Sequence, residues 1–189
     1  MANAIDREES DRALFQEISD FLAETKSLTL PIKWVTDGTR LFFSATLDTA
    51  EVTDERVTMR GNAVTYMPDR NVALVLTWQG PYGRPQAFER FDWKPLHLHA
   101  NNANVPKPHR HRRFLASHHH PLSLNSRVSN GLSRAMGDNL PAALPMEPDP
   151  ADWAAFTAAL SAAWRIPNLI HAPPPPWQYD LLAGLNNGR

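Results

Sequence analysis

The sequence predicts an α+β protein in which a curved antiparallel β-sheet of about five to six strands packs against an N-terminal and a C-terminal helix. Three observations predict it. An apolar pattern with helical spacing lies near the N-terminus, strand-like segments separated by turn residues follow, and a second helical pattern comes after a proline-rich stretch. At 189 residues, the chain is expected to form a single domain, 1–189.

The first helix is predicted over residues 8–25. Acidic side chains occupy the face opposite its apolar residues, which indicates a helix with one solvated side. The apolar positions recur every three to four residues and are Leu14, Phe15, Ile18, Phe21 and Leu22.

The sheet is expected within residues 30–120. Strand-like segments flank an Asp37-Gly38 turn, and a second hairpin is expected around Gly61-Asn62. The apolar run Asn71–Gln79 predicts a central strand. A further strand is expected at Gln86–Trp93, and another strand or an extended segment at Pro106–Ser117.

The second helix is predicted over residues 149–166, after a polar loop at Ser123–Asn139. Asp149-Pro150 is a favourable start, because Asp caps helices and Pro is tolerated in the first turn. The segment 171–189 is rich in proline and is expected to pack back as an ordered tail. The apolar face of this helix consists of Trp153, Phe156, Leu160 and Trp164.

Composition restricts the chemistry and the location. The chain has no cysteine, which excludes thiolate metal sites and cysteine nucleophiles. It has neither a signal-like N-terminus nor an apolar run long enough to cross a membrane, so a cytoplasmic protein without membrane contact is expected. The net charge of −1 hides an asymmetry: residues 1–24 carry −5, whereas nine bases and two acids give residues 84–134 a charge of +7. Such a segment indicates an anion-binding surface.

Histidines are concentrated in one short part of the chain. Seven of the eight lie between His97 and His120. A spacing of two places both members of a pair on one face of an extended chain. The pairs are His97/His99, His109/His111 and His118/His120.

The first two pairs are expected to form one site. If Gln86–Leu98 and Lys107–Ser117 pair as antiparallel strands, His97 and His99 come close to His109 and His111. Arg90 and Asp92 have the same spacing of two and are expected beside them. The run His118–His120, by contrast, is interpreted as an exposed loop outside the site.

Two chemistries fit this group of residues. Without a metal, one histidine accepts a proton from a nucleophile and another donates one to the leaving group, while Arg90, Arg110 or Arg112 binds a phosphate. Alternatively, His97, His99, His109 and His111 bind zinc or another divalent transition metal, with Asp92 as a ligand or as an orienting group.

The segment Glu89–His111 resembles a motif of TumE-type toxins of bacterial toxin–antitoxin modules and of related uncharacterised families. The resemblance implies an α+β protein that cleaves RNA, arrests growth and is encoded beside an antitoxin. The chain departs from that pattern in its length, its His118–His120 run and its proline-rich tail, which leaves room for an inhibitor carried by a mobile element. The residues that match are Arg90, Asp92, His97, His99, Pro108, His109 and His111.

The leading hypothesis is a metal-independent endoribonuclease of a toxin-like protein, without a cofactor. Its predicted catalytic residues are His97, His99, His109, His111 and Asp92, and its predicted substrate-binding residues are Arg90, Arg110 and Arg112. RNA and a cognate antitoxin, or another acidic protein, are the expected partners. The alternatives are a metal-dependent hydrolase that uses the same histidines, and a non-catalytic binding module with a basic face.

Overall fold

The computed structural model describes residues 4–50, 52–80 and 83–179, which form an antiparallel sheet with helices before and after it. The predicted α+β class is confirmed. Within the described residues the main sheet has eight strands. This exceeds the five to six expected because strands of two or three residues, too short for a sequence pattern to reveal, extend the sheet.

The elements follow one another along the chain with short connections. The helices are α1 (Ala4–Ala23), α2 (Leu122–Asn125), α3 (Leu132–Gly137) and α4 (Trp153–Trp164), and 3₁₀ turns lie at Lys107–His109 and Pro167–His171. The strands are β1 (Lys26–Leu28), β2 (Val35–Asp37), β3 (Arg40–Thr49), β4 (Val52–Val64), β5 (Val72–Trp78), β6 (Gln86–Trp93), β7 (His99–Ala100), β8 (Arg113–Phe114), β9 (His118–His120) and β10 (Leu144–Pro145).

The main sheet has the order β1-β3-β4-β5-β6-β9-β10, in which β3 to β6 form a meander. Strand β2 pairs with β3 through the predicted turn at Gly38, whose φ of +57° suits glycine. Strands β7 and β8 form a separate two-stranded ladder. The predicted central strand is confirmed as β5, which is hydrogen-bonded on both sides.

One face of the sheet forms the core, and the other is partly open. On the core face, Leu74 and Leu76 of β5 are fully buried and belong to the same cluster as Ile18 of α1 and Phe156 of α4. The next residues along β5, including Val75, are only half-buried because they point to the other face. The candidate site described below lies on this open face.

The predicted hairpin at Gly61-Asn62 is wrong. Strand β4 continues through both residues and pairs there with β3 and β5. The ring of Phe43 lies so close to Gly61 that an added Cβ would overlap it. The glycine therefore makes room for an aromatic ring and does not form a turn.

The predicted strand Pro106–Ser117 is also wrong. Its first half forms a 3₁₀ turn, and only Arg113–Phe114 forms a short strand. Pro106 and Pro108 have no N–H to donate to a ladder, and the backbone of Asn101 closes the loop by bonding to His111 and Arg112. The strand that pairs with β6 on the side away from β5 is β9, His118–His120.

The C-terminal helix begins later than predicted. The cap is Asp152, whose side chain accepts from the backbone N–H of Ala155 at 2.8 Å, and Asp149-Pro150 lies before the helix. The predicted loop Ser123–Asn139 contains most of α2 and all of α3. The apolar face of α4 is buried as expected, at Trp153, Phe156, Leu160 and Trp164.

The described part of the proline-rich tail packs back onto the sheet, as predicted. The backbone N–H of Gln178 donates to the carbonyl of Thr65 at 2.7 Å, and Trp177 is buried. The rest of the predicted tail, residues 180–189, lies outside the described residues. In the described ranges, no helix is long and apolar enough to cross a membrane.

Candidate metal centre

Strands β6 and β9 present charged and histidine side chains to both faces of the sheet. Asp92 lies opposite His118, and Arg90 lies opposite His120. Because side chains alternate along a strand, these four residues share the open face. His119 points the other way, as the sequence predicted, and its ring stacks on Phe91 on the core face.

Asp92 is the centre of the polar cluster on the open face. Its Oδ1 accepts from Nε and Nη2 of Arg90 at 2.9 and 2.8 Å. Its Oδ2 lies 3.1 Å from Nε2 of His118 and 3.1 Å from Nε2 of His120. Asp92, His118 and His120 are each exposed by 5% or less, so solvent contributes little to satisfying these groups.

The second ring nitrogen of each buried histidine also faces an oxygen. Nδ1 of His118 lies 3.0 Å from the carbonyl oxygen of Ala116, and Nδ1 of His120 lies 2.6 Å from that of Leu140. A carbonyl oxygen only accepts, as does the ionised carboxylate of Asp92. A neutral imidazole has one N–H, so either tautomer leaves one nitrogen lone pair facing an oxygen. These contacts require an additional positive centre, either a second proton or a metal ion.

His99 of β7 completes a triangle of imidazoles with the two histidines of β9. The ring centroids of His99, His118 and His120 are 5.0, 4.9 and 5.0 Å apart. The ring of Phe114 packs against His99 and His118, at centroid distances of 5.3 and 5.2 Å, and gives the cluster an apolar wall.

Asn101 determines the tautomer of His99. The Asn101 amide nitrogen donates to the carbonyls of His109 and Ala143, and its Oδ1 accepts from the Ala143 N–H. This fixes the orientation of the amide, whose oxygen lies 2.9 Å from Nε2 of His99. Nε2 therefore carries a proton, and Nδ1 has the free lone pair.

The spacing of the three rings fits a single metal ion. Imidazoles bound to one ion at about 2.1 Å place their ligand nitrogens about 3 to 3.5 Å apart and their ring centroids roughly 4.5 to 5.3 Å apart. One ligand atom from each of His99, His118 and His120 lies within 4.8 Å of the others. A rotation that closes this spread by roughly 1.5 Å gives bound geometry, and His99 is the least buried of the three rings.

The local environment favours neutral imidazoles beside an ionised carboxylate. Burial lowers the pKa of His120 to about 4, in spite of the neighbouring Asp92. Burial also lowers the pKa of His99. For Asp92, burial opposes ionisation, but the contacts with His118 and His120 and the charge of Arg90 outweigh it, so its pKa lies well below the usual value. Neutral imidazoles and an ionised carboxylate are the forms that bind metals.

The cluster opens onto a cleft of about 450 Å³. Asp92, His99 and His118 line it, whereas His120 does not. An ion held by the cluster would therefore have protein on one side and the cleft on the other. The other polar lining residues are Arg40, Asn62, Asn71, Arg90 and His97, and the apolar wall includes Leu41, Pro95, Leu96 and Leu98.

The structure brings together some of the residues that the sequence singled out. Arg90, Asp92 and His99 share one cluster, and His97 is an exposed residue of the same cleft. The expected pairing of Gln86–Leu98 with Lys107–Ser117 is wrong, because β9 is the strand that pairs with β6 on that side, and neither His109 nor His111 lines the cleft.

The remaining predicted residues lie in the loop between β7 and β8. The buried Nδ1 of His109 has no hydrogen-bond partner among the described residues, and His111, in the left-handed region at φ +58°, lines a different hollow. Arg110 is exposed and donates through Nε to the carbonyl of Val105 at 3.1 Å, and Arg112 is also exposed.

The sequence interpretation missed His118, His120, Asn101 and Arg40. For the first two a signal was available, because they have the same spacing of two as the chosen pairs, but a run of three histidines before Pro121 was interpreted as an exposed loop. Burial of both rings shows that interpretation to be wrong. For Asn101 and Arg40 the sequence carries no comparable signal, since their roles depend on neighbours that are distant in the chain.

Comparisons of the chain with models of protein families, with curated proteins and with solved structures give no match. The resemblance to TumE-type toxins therefore stays a prediction. What can be said of function depends on the geometry of the cluster itself.

Proposed function

We propose that this protein is a metal-dependent hydrolase whose divalent transition-metal ion is held by His99, His118, His120 and Asp92. The observation that carries the proposal is the pair of contacts made by each buried histidine of β9. In both rings, Nδ1 faces a carbonyl and Nε2 faces the same carboxylate oxygen, Oδ2 of Asp92. A metal ion between the Nε2 atoms and Oδ2 satisfies every one of these groups with both rings neutral.

The surroundings of the ligands match those of known types of metal site. Histidine ligands usually donate their other N–H to a carbonyl or carboxylate, which fixes the tautomer and the direction of the lone pair. His118, His120 and His99 each have such a partner, the last through Asn101. Three imidazoles and one carboxylate suit zinc, iron or nickel better than magnesium or calcium, which prefer oxygen ligands.

Access from the cleft favours a catalytic centre over a purely structural one. Structural zinc sites are closed, whereas catalytic sites keep a position open for water or substrate, and with four protein ligands this position would be a fifth one, on the side of the cleft. Here Asp92, His99 and His118 face a cleft of about 450 Å³, within the size range of small-molecule sites. A bound ion would supply Lewis acidity, the chemistry that promotes hydrolysis of phosphate esters and carbonyl compounds. The protein contributes the ligands, the ring of Phe114 beside His118 and the second contact of Asp92, which is with Arg90.

The metal-independent ribonuclease is the competing proposal. It requires two imidazoles at one substrate, and of its four histidines only His97 and His99 line the cleft. The basic segment 84–134 still favours an anionic substrate for either enzyme. RNA is therefore one of the substrates to be tested, with and without metal.

The test is elemental analysis of the purified protein together with titration of the chelator-treated protein with Zn²⁺ and Co²⁺. We expect about one ion per chain, and we expect His118→Ala and His120→Ala to weaken binding more than about 100-fold, because loss of an orienting residue alone typically costs 10–100-fold. Co²⁺ provides a visible absorption spectrum that reports on its ligands.

His119→Ala is the matched control, since it removes an imidazole from the same strand but from the other face. It should bind metal like the wild type. A wild-type protein that binds no divalent transition metal, or equal binding by all three variants, would contradict the proposal. Cleavage of RNA by the metal-free protein, lost on replacement of His97 and His99, would instead support the ribonuclease.

A further inference from the structure

The cleft beside the candidate metal centre has an unbalanced charge. Among the residues that line it, the cationic side chains are Arg40 and Arg90, and Asp92 is the one carboxylate. Asp92 is already in contact with Arg90, His118 and His120. The lining residues therefore carry a formal charge of +1, which a divalent ion at the centre raises to +3.

Arg40 is the cation of the cleft that has no partner among the described residues. It begins β3, opposite Val64 of β4, and its side chain is exposed. Within the described ranges no ion pair or side-chain hydrogen bond of Arg40 is found. An arginine whose N–H donors are all free, at the wall of a cleft, is suited to bidentate binding of an anion.

Arg90 offers a second, better fixed set of donors. Its Nε and Nη2 are held by Oδ1 of Asp92, which orients the guanidinium and leaves Nη1 free. Its side chain is 24% exposed and lines the cleft. Arg90 therefore contacts Asp92, a proposed ligand of the metal, and also lines the space in which a bound molecule would lie.

We propose that the cleft binds a phosphate monoester, with Arg40 and Arg90 as donors to a phosphate dianion next to the metal. This inference rests on the proposed function and specifies its substrate class. A dianion offsets most of the +3 charge, and its three terminal oxygens can accept from two guanidiniums while one faces the ion. A carboxylate has one charge and two oxygens, which serve this arrangement less well.

The apolar wall of the cleft suits the organic part of such an ester. Leu96 and Leu98 line it and are 38% and 51% exposed. Pro95 continues the same wall. An aromatic or aliphatic group attached to the phosphate would cover this surface, so an organic phosphate should bind more tightly than inorganic phosphate.

The experiment is isothermal titration calorimetry on the metal-loaded full chain with inorganic phosphate, phenylphosphonate as a non-hydrolysable monoester analogue, and benzoate. We expect phenylphosphonate to bind most tightly and benzoate most weakly. Arg40→Gln should weaken phenylphosphonate binding by about tenfold or more, because a hydrogen bond to a charged group is lost. The metal content of this variant should equal that of the wild type.

Arg60→Gln is the matched control. Arg60 is an exposed arginine of β4 on the same face of the sheet, two residues from Asn62, but it does not line the cleft. Its affinity for phenylphosphonate should stay within about twofold of the wild type, since it leaves both donors of the cleft in place.

The outcomes separate this inference from the proposed function. If the wild type holds metal but binds no phosphonate, binds benzoate more tightly, or is weakened equally by Arg40→Gln and Arg60→Gln, the inference is overturned and the metal centre stands. If the protein holds no metal, the proposed function fails. If that metal-free protein still bound phenylphosphonate, and Arg40→Gln but not Arg60→Gln lost this binding, the anion site would still be supported. If the metal-free protein bound no phenylphosphonate, the anion site would be overturned.

Discussion

Histidine–carboxylate contacts link β6 to β9 on both faces of the sheet, one on the core face and two on the open face, and the two faces differ in how the polar atoms are satisfied. On the core face, Glu89 accepts from Nε2 of His119, from the backbone N–H of Leu122 at 2.6 Å and from Nε1 of Trp164 at 3.3 Å. On the open face, Oδ2 of Asp92 faces two imidazoles whose other nitrogens are already in contact with carbonyls.

This difference between the two faces shows which histidine contacts indicate a metal site. No partner of Nδ1 of His119 is found among the described residues, so a neutral ring with its proton on Nε2 satisfies Glu89 fully. In His118 and His120 both ring nitrogens face oxygen atoms, and a neutral ring, which carries one N–H, cannot donate to both. A histidine close to a carboxylate therefore does not by itself indicate a metal site. The partner of its second ring nitrogen is the informative feature.

The largest expected effect is that of metal on stability. An ion that binds only the folded state at about 1,000 times its Kd should raise the free energy of unfolding of the wild type by about 4 kcal/mol. The measurement is urea denaturation with Zn²⁺ and with a chelator. His120→Ala, whose binding should be weakened more than about 100-fold, should gain less than about 1.4 kcal/mol at the same metal concentration. A wild-type curve that does not respond to metal would remove the distinction between the two faces.

Glu89→Ala should have the next largest effect, on stability and not on metal binding. It leaves the buried donors of Leu122 and Trp164 and the partly exposed donor of His119 without their acceptor, which should lower the free energy of unfolding by about 3 kcal/mol. Glu89→Gln keeps an acceptor oxygen and should lose less. Metal content, measured on the folded fraction, should stay near the wild-type value; loss of metal with unchanged stability would mean that the roles of the two carboxylates are reversed.

Asn101→Ala should weaken metal binding by about 10- to 100-fold, because His99 loses the acceptor that fixes its tautomer. Competition with a chromophoric chelator measures the Kd. Asn101→Asp keeps an oxygen for Nε2 of His99 while it removes the donor to His109 and Ala143, so its metal affinity should fall less and its stability more. Equal metal affinity in the wild type and in Asn101→Ala would exclude His99 as a ligand.

His119→Phe should have the smallest effect. Phenylalanine can keep the stacking on Phe91, and one hydrogen bond to Glu89 is lost, which should cost about 1 kcal/mol. Metal binding should be unchanged. The same substitution one residue earlier, His118→Phe, should abolish metal binding; similar metal content in the two variants would show that the faces of β9 are equivalent.

Much of the fold could be predicted from the sequence, because local periodicity reports burial directly. The helical spacing of Ile18 and its neighbours, the apolar run of β5 and the apolar face of α4 all indicated which side chains face the core. Where the prediction failed, a distant contact overrode the local signal. The pair Gly61-Asn62 is typical of a turn, but Gly61 instead makes room for the ring of Phe43, which lies 18 positions earlier in the chain.

The candidate site was only half predictable, for the same reason. Arg90, Asp92 and His99 could be selected from residue type and spacing, and so could the opposite directions of His119 and its two neighbours, since a period of two is a property of any extended chain. The choice between His109/His111 and His118/His120 depends on which segment pairs with β6, and strand pairing is set by the whole sheet. The sequence by itself determined an α+β fold with a histidine-rich open face, and the tertiary structure decided which imidazoles share the oxygen of Asp92.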